Sequence, residues 1–293
     1  TFPEFFLIII VGRNYSNCIM ELVINWTRCT SWPPNCQPFV IKIRPPIFFL
    51  KKIFHSGGDI HLFTGADLSG YPLSIASKKE MIDQILAAGV DGDQIKDMRQ
   101  SAKAVNFGLI YLMSAFGLKN YAYQGFGIKL SDHQANLWRD GFFNLYPAIA
   151  TWHEKEIQEM EKSGCVVTIF GRKVPIPNIY SDDRKIQKEA ERFGVNVRIQ
   201  GPSSDYTLMG GDNVIKDENY DRSICKPVLF IHDAFIWEID MDKLKEYGAY
   251  IIDKMTNIDT QKKFGFTLSV PFVAEAEEGY NLADMIEYHP EED

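Results

Sequence analysis

Two cations and two aromatic side chains recur at a fixed spacing in the segment MRQSAKAVNFGLIYLMSAFG. Arg99, Lys103, Phe107 and Tyr111 follow one another at intervals of four residues. On an α-helix this spacing puts them on one slowly rotating face, roughly 18 Å long. Cations at one end suit phosphates, and aromatic rings at the other end suit a base and a sugar. The row predicts a nucleoside triphosphate site, whereas its spacing alone is more typical of an amphipathic helix with a basic solvent edge and aromatics in the core.

A second candidate site is an acidic turn between two apolar runs. In PVLFIHDAFIWEID (227–240) the pattern of a strand is interrupted at His232-Asp233. A carboxylate at such a break between strands is a natural ligand for Mg²⁺. An ordinary surface turn is the alternative that these residues leave open.

A third segment, ERFGVNVRIQGPSSD (191–205), repeats the four-residue spacing with hydrogen-bonding side chains. Arg192, Asn196 and Gln200 line one face of a predicted helix, and Gly201 is predicted to end it. Such a face suits the edges and sugars of a nucleic-acid duplex. A polar face directed at solvent is the alternative.

The three segments, in this order, resemble family A DNA polymerases, the bacterial polymerase I type. RQSAKAVNFGLIYLMSAFGL (99–118) is similar to the fingers helix of that family, and the His-Asp turn is similar to its palm motif. The Arg-Asn-Gln row resembles the family's helix that contacts primer and template. GGDIH (57–61) resembles the segment that supplies a histidine, here His61, beside the incoming nucleotide. The resemblance extends over about residues 50 to 285.

The resemblance implies an α+β fold, with an antiparallel palm sheet and a helical fingers subdomain. It implies nucleotidyl transfer from a dNTP to a primer 3′ end with two Mg²⁺ ions. Asp233, Lys103 and His232 would be catalytic, with Asp233 as metal ligand. The partners would be primer–template DNA and dNTPs. The implied nucleotide-binding residues are Arg99, Lys103, Phe107, Tyr111 and His61, and the implied DNA-binding residues are Arg192, Asn196 and Gln200.

Several positions depart from the family pattern. Leu112 replaces a glycine, Ala234 replaces a glutamate, and no aspartate precedes Asp59. NYSNCIMEL (14–22) looks like an altered form of the family's Asp-Tyr-Ser-Gln-Ile-Glu-Leu strand, with Asn14 at the place of a metal ligand, although it stands far upstream of GGDIH. One aspartate cannot hold two Mg²⁺ ions. The sequence therefore predicts that the chain extends primers poorly.

Two other classes of protein stay open. One is a catalytically inactive, DNA-binding remnant of the family. The other is a single-subunit RNA polymerase, which shares the palm and the Arg/Lys/Tyr helix. Asn106-Phe107-Gly108 argues against the RNA polymerase, because it matches the residue pattern of the DNA polymerases.

Composition changes along the chain. The whole protein carries a net charge of −8 and 45% hydrophobic residues, as in ordinary globular proteins, but its first part is basic. A local basic groove can still bind DNA in an acidic protein. We interpret the chain as an atypical segment at 1–55, a divergent palm strand or mistranslated sequence, followed by fingers and palm at 56–285, with the fingers at about 78–163, and an acidic tail at 286–293.

Cysteine spacing and hydropathy bear on location. The cysteines show no Cys-x-x-Cys spacing, which argues against zinc and for reduced thiols in an intracellular protein. FFLIIIV (5–11) is too short to cross a bilayer and is predicted to be a buried strand, with no membrane partner. A first residue of Thr fits a fragment that lacks the thumb and the 3′–5′ exonuclease.

Apolar periodicity predicts the elements that must position these residues. We expect helices at 78–86, over most of 93–163, at 184–200 and at 242–257, hairpins at 165–177 and 226–240, and a final strand at 267–275.

Overall fold

The computed structural model describes residues 4–11, 46–269, 272 and 274–289. They form two compact units. The helical unit contains the described residues of 46–166 and 173–197, and the sheet unit contains those of 4–11, 167–172 and 198–289. The α+β fold class is confirmed.

The helical unit is a stack of short helices, most of which begin at a Ser or Asp whose side chain accepts from a backbone N–H of the first turn. Its main buried contacts join the second helix to the fourth, and the fourth to the fifth. In chain order the helices are α1 (Pro46–His55), α2 (Ile60–Leu68), α3 (Lys78–Ala87), α4 (Gly92–Ile110), α5 (Ala115–Phe126), α6 (Asp132–Leu145) and α7 (Pro147–Ser163).

The C-terminal end of α4 is closed by a Schellman-type turn. Tyr111 is the C-cap, the N–H of Leu112 donates to the carbonyl of Leu109 at 3.3 Å, and the N–H of Met113 donates to that of Gly108 at 3.2 Å. This motif places the residue after the C-cap in the left-handed region, where glycine is preferred. Leu112 occupies that position with φ of 59°. Leu112 therefore adopts a backbone conformation that favours glycine, the residue type that the family pattern has at this position.

We predict that Leu112→Gly is more stable than Leu112→Ala by about 1 kcal/mol, because a non-glycine residue at a left-handed φ costs roughly 1–2 kcal/mol. Both variants remove the isobutyl group, so their difference reports the backbone. Urea denaturation measures it. The matched control is exposed Leu137 inside α6, where glycine should instead be about 1 kcal/mol less stable than alanine. The same sign at both positions would contradict the prediction.

In chain order the strands are β1 (Glu4–Val11), β2 (Cys165–Val167), β3 (Lys173–Pro175), β4 (Cys225–Ile231), β5 (Ala234–Asp240), β6 (Ala274–Gly279) and β7 (Ile286–Glu287). The sheet unit contains a five-stranded antiparallel sheet in the order β4-β5-β1-β6-β7. The strand predicted at 5–11 is confirmed as β1, a central strand flanked on both sides. Strands β2 and β3 pair in a two-stranded sheet whose residues lie mostly in the helical unit.

Helices complete the sheet unit. They are α8 (Arg184–Ile215), whose first part belongs to the helical unit, α9 (Leu244–Thr256) and α10 (Thr260–Phe264), with a 3-10 turn at Met241–Lys243. A second 3-10 turn, Pro177–Tyr180, lies in the helical unit. The core of this unit is apolar and includes Val214 of α8, Trp237 of β5 and Ile251 of α9. No helix in the described part of the chain is long and apolar enough to cross a membrane.

The predicted end of a helix at Gly201 is wrong, since α8 continues through Pro202 to Ile215. The continuation is stabilised by packing. Tyr206 and Val214 are buried in the core of the sheet unit, and a Cβ at Gly211 would lie 2.3 Å from Cε2 of Phe235. The apolar surface that these turns bury outweighs the hydrogen bond lost at proline.

The predicted final strand at 267–275 is also wrong in position. The described residues of 265–269 are not in a strand, and β6 begins at Ala274. Ala276 is buried and its neighbours in AEAEEG are mostly acidic, so the strand is one-sided. Its alternation is weak compared with the apolar run before it, which explains the misplacement. The predicted hairpins and the other helices are confirmed within a few residues.

Candidate functional site

The row of two cations and two aromatics lies on α4, as predicted, with Tyr111 at its C-cap. Helix α4 starts at a capping box in which Asp91 accepts from the N–H of Gln94 at 2.9 Å. Its inner face is buried, and the side chains of Arg99, Lys103 and Phe107 are half-buried beside it. The row is therefore partly accessible.

Arg99 is oriented by a carboxylate from a neighbouring helix. Asp59 is the N-cap of α2, where its Oδ1 accepts from the N–H of Leu62 at 2.9 Å. Its Oδ2 accepts from Nε of Arg99 at 2.7 Å. Burial of Asp59 opposes its ionisation, but the Leu62 N–H and Arg99 outweigh that effect and hold its pKa below the ordinary value. Because only Nε is engaged, the two terminal nitrogens of Arg99 have no acceptor among the described residues.

His61 lies beside the aromatic part of the row. Its ring centroid is 5.4 Å from that of Phe107, and its Nδ1 is 2.9 Å from Nδ2 of Asn106. With the Asn106 amide oriented so that Nδ2 donates to Nδ1, the ring proton of the neutral imidazole is assigned to Nε2. Burial, opposed by the charge of Asp59 and assisted by those of Arg99 and Lys103, lowers the pKa of His61 to about 4. A neutral His61 is thus a hydrogen-bond donor through Nε2 near neutral pH.

A second buried histidine supports the end of α4. Nε2 of His153, on α7, donates to the carbonyl of Ile110 at 2.8 Å. This carbonyl belongs to the last turn of the helix, where backbone acceptors lack intrahelical partners. The side chain is 4% exposed, and burial lowers the pKa of His153 to about 4. The neutral imidazole of His153 therefore stabilises the segment that leads into Tyr111.

The two buried histidines make stability depend on pH. Their pKa values are about 4 when folded and 6.5 as the reference, so the unfolded chain takes up protons first as pH falls. Below pH 6.5, each buried histidine therefore lowers the free energy of unfolding by about 1.4 kcal/mol per pH unit, until the pH reaches the pKa of the folded form. We predict that the free energy of unfolding, measured by urea denaturation, falls less steeply between pH 6.5 and 5 in His153→Gln than in the unmodified chain. An unchanged slope would contradict this, and exposed His133→Gln on α6 is the control.

In the sheet unit, His232 and Asp233 form the two-residue turn between β4 and β5. His232 is exposed and has φ of 57°, as tight hairpin turns require at this position. Asp233 is half-buried, and its carbonyl accepts from Oγ1 of Thr207 at 3.3 Å. The predicted hairpin and its acidic turn are confirmed.

The register of β1 fixes which of its ends lies near this turn. Ile10 pairs with Ala234 and Ile9 pairs with Phe235, antiparallel. The C-terminal end of β1 is therefore beside the residue that follows Asp233. In sequence the next residues are Gly12, Arg13 and Asn14, and the segment 14–22 lies outside the described residues.

The second predicted row lies on α8. Arg192 and Gln200 are exposed and Asn196 is half-buried, at successive turns. Arg192 has no ion-pair or hydrogen-bond partner in the part of the chain that the structure describes. It is therefore available to a phosphate.

Three other cations that could contribute to a basic groove, Lys119, Arg172 and Arg198, already have partners. Nζ of Lys119 is 2.8 Å from Oδ1 of Asp132. Arg172 binds Asp205 at 2.7 Å, and Arg198 donates to the carbonyl of Val167. These side chains stabilise their own units, so they contribute less to a basic surface than the sequence suggests.

The donor set for Mg²⁺ is incomplete in the described part of the chain. Asp233 is the carboxylate of the β4–β5 turn, Ala234 follows it, and no group of three or more His, Cys, Asp or Glu residues that could hold a metal is present among the described residues. Two Mg²⁺ ions require several carboxylate oxygens. The described residues do not fit a two-metal centre, and Asp233 stays a predicted ligand.

A five-stranded antiparallel sheet with an acidic hairpin turn, and a helical unit that carries the Arg99–Tyr111 row, have the α+β class that the palm-and-fingers resemblance predicts. The sequence profile of DNA polymerase family A matches residues 49–284. The chain belongs to this family.

Its relatives are longer proteins. DNA polymerase I of Pseudomonas aeruginosa is 32% identical over 235 residues, which are 79% of this chain and 22% of the relative. The DNA polymerase of Bacillus phage SP01 is 27% identical, over 89% of this chain and 31% of the relative. The chain thus spans between about a fifth and a third of these relatives.

A solved structure has a similar fold. It is the POL domain of Pol1 from M. smegmatis in complex with DNA primer-template and dNTP, with a TM-score of 0.66 and 20% sequence identity. The similarity covers 95% of this chain and 40% of that chain. At this identity it supports the fold alone.

Sequence reasoning missed the residues that support the row. Asp59 carries a usable signal, because Asp before an apolar helical run predicts an N-cap. Its pairing with Arg99 joins residues 40 positions apart, which no local pattern shows. For the contact of His153 with Ile110 we find no signal in the sequence.

Proposed function

We propose that this chain is the nucleotide- and DNA-binding part of a template-directed DNA polymerase, and that its own nucleotidyl transfer is weak. The observation that supports the first half is the arrangement around His61. Arg99 keeps both terminal nitrogens available, His61 offers an Nε2 donor, and Phe107 packs 5.4 Å from its ring. These groups suit a triphosphate and its sugar.

Each group has a separate role in this proposal. Arg99 and Lys103 bind phosphate oxygens by charge-assisted hydrogen bonds. His61, neutral at pH 7, donates without adding charge. Phe107 packs against the sugar, and Tyr111, at the C-cap of α4, borders the templating base. His232 and Asp233 lie at the palm turn, and Asp233 is the candidate ligand for one Mg²⁺ ion.

The test is the affinity for dATP with Mg²⁺, measured by calorimetry. Arg99→Ala should weaken binding at least about tenfold, since a charge-assisted hydrogen bond contributes about 1.5–3 kcal/mol. The matched control is Arg139→Ala on α6, whose guanidinium pairs with the adjacent Asp140 at 2.7 Å. Equal affinities of the two variants would refute the nucleotide site.

Binding of primer–template DNA should be salt-sensitive, because Lys and Arg that contact phosphates release counterions. We expect affinity to fall clearly between 50 and 200 mM salt, and Arg192→Ala to lower both the affinity and the salt slope. Exposed Arg222→Ala makes the same charge change at a residue outside the row and is the control. Salt-independent binding, measured by fluorescence anisotropy, would contradict the proposal.

A second function, binding without catalysis, is favoured by one observation. The palm turn carries one carboxylate, and no aspartate occurs before Asp59 in the sequence. Such a chain would occupy primer ends without extending them. Binding of dATP and DNA together with no incorporation would establish this alternative.

A further inference from the structure

A third cation lies at the phosphate end of the row. Lys78, in the first turn of α3, has its Nζ 4.0 Å from Oδ2 of Asp59. The same oxygen accepts from Nε of Arg99 at 2.7 Å. Lys78 and Arg99 come from different helices and converge on one carboxylate oxygen.

The position of Lys78 is fixed by its backbone. Its N–H donates to the carbonyl of Gly57 at 3.0 Å, and Oγ of Ser56 donates to that of Ala76 at 3.1 Å. A Cβ at Gly58 would lie 2.7 Å from the Ala76 oxygen, so the two segments are in close contact. The capping box of Ser77 and Glu80 fixes the start of α3. Residues 76–78 are thus held against the loop that carries Asp59.

The ammonium group of Lys78 is nevertheless available. At 4.0 Å its contact with Asp59 is beyond hydrogen-bond distance, and its side chain is 55% exposed. It donates to no acceptor in the described residues. An exposed pair of this kind contributes little to stability.

The charges at this point favour an anion. Asp59 is 10% exposed and its two oxygens are directed to Leu62 and Arg99, so it neutralises one of the two cations. Lys78, Arg99 and Asp59 together therefore carry one net positive charge. A terminal phosphate with several oxygens can accept from Lys78 and from the free nitrogens of Arg99 together.

We propose that Lys78 is a phosphate-binding residue that selects the triphosphate form of the nucleotide, with Asp59 setting the distance between the two cations. This inference rests on the proposed nucleotide site around His61. A cation beside the outer phosphates contributes to binding of a triphosphate and not of a monophosphate.

The experiment compares the affinities of the full chain for dATP and dAMP, with Mg²⁺, by calorimetry. Lys78→Ala should weaken the affinity for dATP about fivefold and leave the affinity for dAMP unchanged. This is the effect of a charge-assisted contact that solvent exposure reduces. Lys78→Arg should retain most of the affinity. Lys79→Ala, an exposed neighbour in the same turn, is the matched control. Thermal unfolding of each variant verifies the fold.

The outcomes separate this inference from the proposed function. Weaker dATP binding in both Arg99→Ala and Lys78→Ala, with dAMP unaffected by the latter, supports it. If Arg99→Ala weakens dATP while Lys78→Ala matches Lys79→Ala, Lys78 is a surface cation and the inference is overturned. Equal loss of dATP and dAMP in Lys78→Ala would also overturn it. If Arg99→Ala has no effect, the nucleotide site itself is wrong.

Discussion

Asn14→Asp is expected to raise primer extension by this chain at least about a hundredfold, from a rate near the detection limit. The reason is the shortage of carboxylates. Metal ions contribute several kcal/mol to such a transfer, and each 1.4 kcal/mol is a factor of ten in rate. A chain that cannot hold both ions loses that contribution.

Position 14 follows from the strand register and the sequence together. The C-terminal end of β1 lies beside Ala234, the residue after Asp233. Asn14 stands three residues beyond Val11, in a segment that resembles the family's carboxylate strand. Asparagine and aspartate have nearly the same shape, so the variant changes a ligand with little change in volume.

The matched control is Asn17→Asp, which adds the same charge in the same segment. We expect it to leave extension unchanged. Fast extension by the unmodified chain would contradict the requirement for a second carboxylate. If Asn14→Asp has no effect but replacing residues 1–55 by the palm strand of a relative restores extension, the carboxylate position is wrong and the rest of the chain is sound.

Local patterns predicted those parts of the fold that local physics decides. The spacing of Arg99, Lys103 and Phe107 is a property of one helix, and the break at His232-Asp233 is a property of one hairpin. Both were recoverable from residue order, because helical and strand periods act over a few residues. The strand at 5–11 is another such case, since its apolar run has no helical alternation.

Long-range packing decided what the sequence could not predict. Helix α8 passes through Gly201 and Pro202 because its later turns bury Tyr206 and Val214 in the sheet unit. β6 was misplaced because its place is set by pairing with β1 and not by its own composition. Tertiary contacts override local preference in both cases.

The candidate site follows the same division. The row on α4 was predicted, whereas the groups that orient it were not. Asp59 reaches Arg99 across 40 positions, and Asn106 reaches His61 across 45. Such contacts determine the tautomer of His61 and the orientation of the Arg99 guanidinium group. The tautomer and this orientation decide whether the row can bind a phosphate.

Phe107→Tyr is expected to narrow the discrimination between dideoxynucleotides and dNTPs by about ten- to a hundredfold. By resemblance to the family, an aromatic at this place of the fingers helix lies at the 3′ position of the incoming sugar. A Tyr hydroxyl there can replace the missing 3′ hydroxyl of a chain terminator by one hydrogen bond of roughly 1–3 kcal/mol. Phe has no such group. The half-buried ring beside His61 is consistent with this location.

The measurement is a ddNTP/dNTP competition assay in the Asn14→Asp background, where extension is expected. Phe126→Tyr on α5 adds the same hydroxyl to another half-buried ring, which packs on Tyr121, and should leave the ratio unchanged. The competing hypothesis is that Phe107 is only a packing residue of an amphipathic helix. Tyr would then lower the free energy of unfolding and leave discrimination unchanged. Equal ddNTP/dNTP ratios for the Asn14→Asp chain with and without Phe107→Tyr would refute the assignment of α4 as the nucleotide-binding helix.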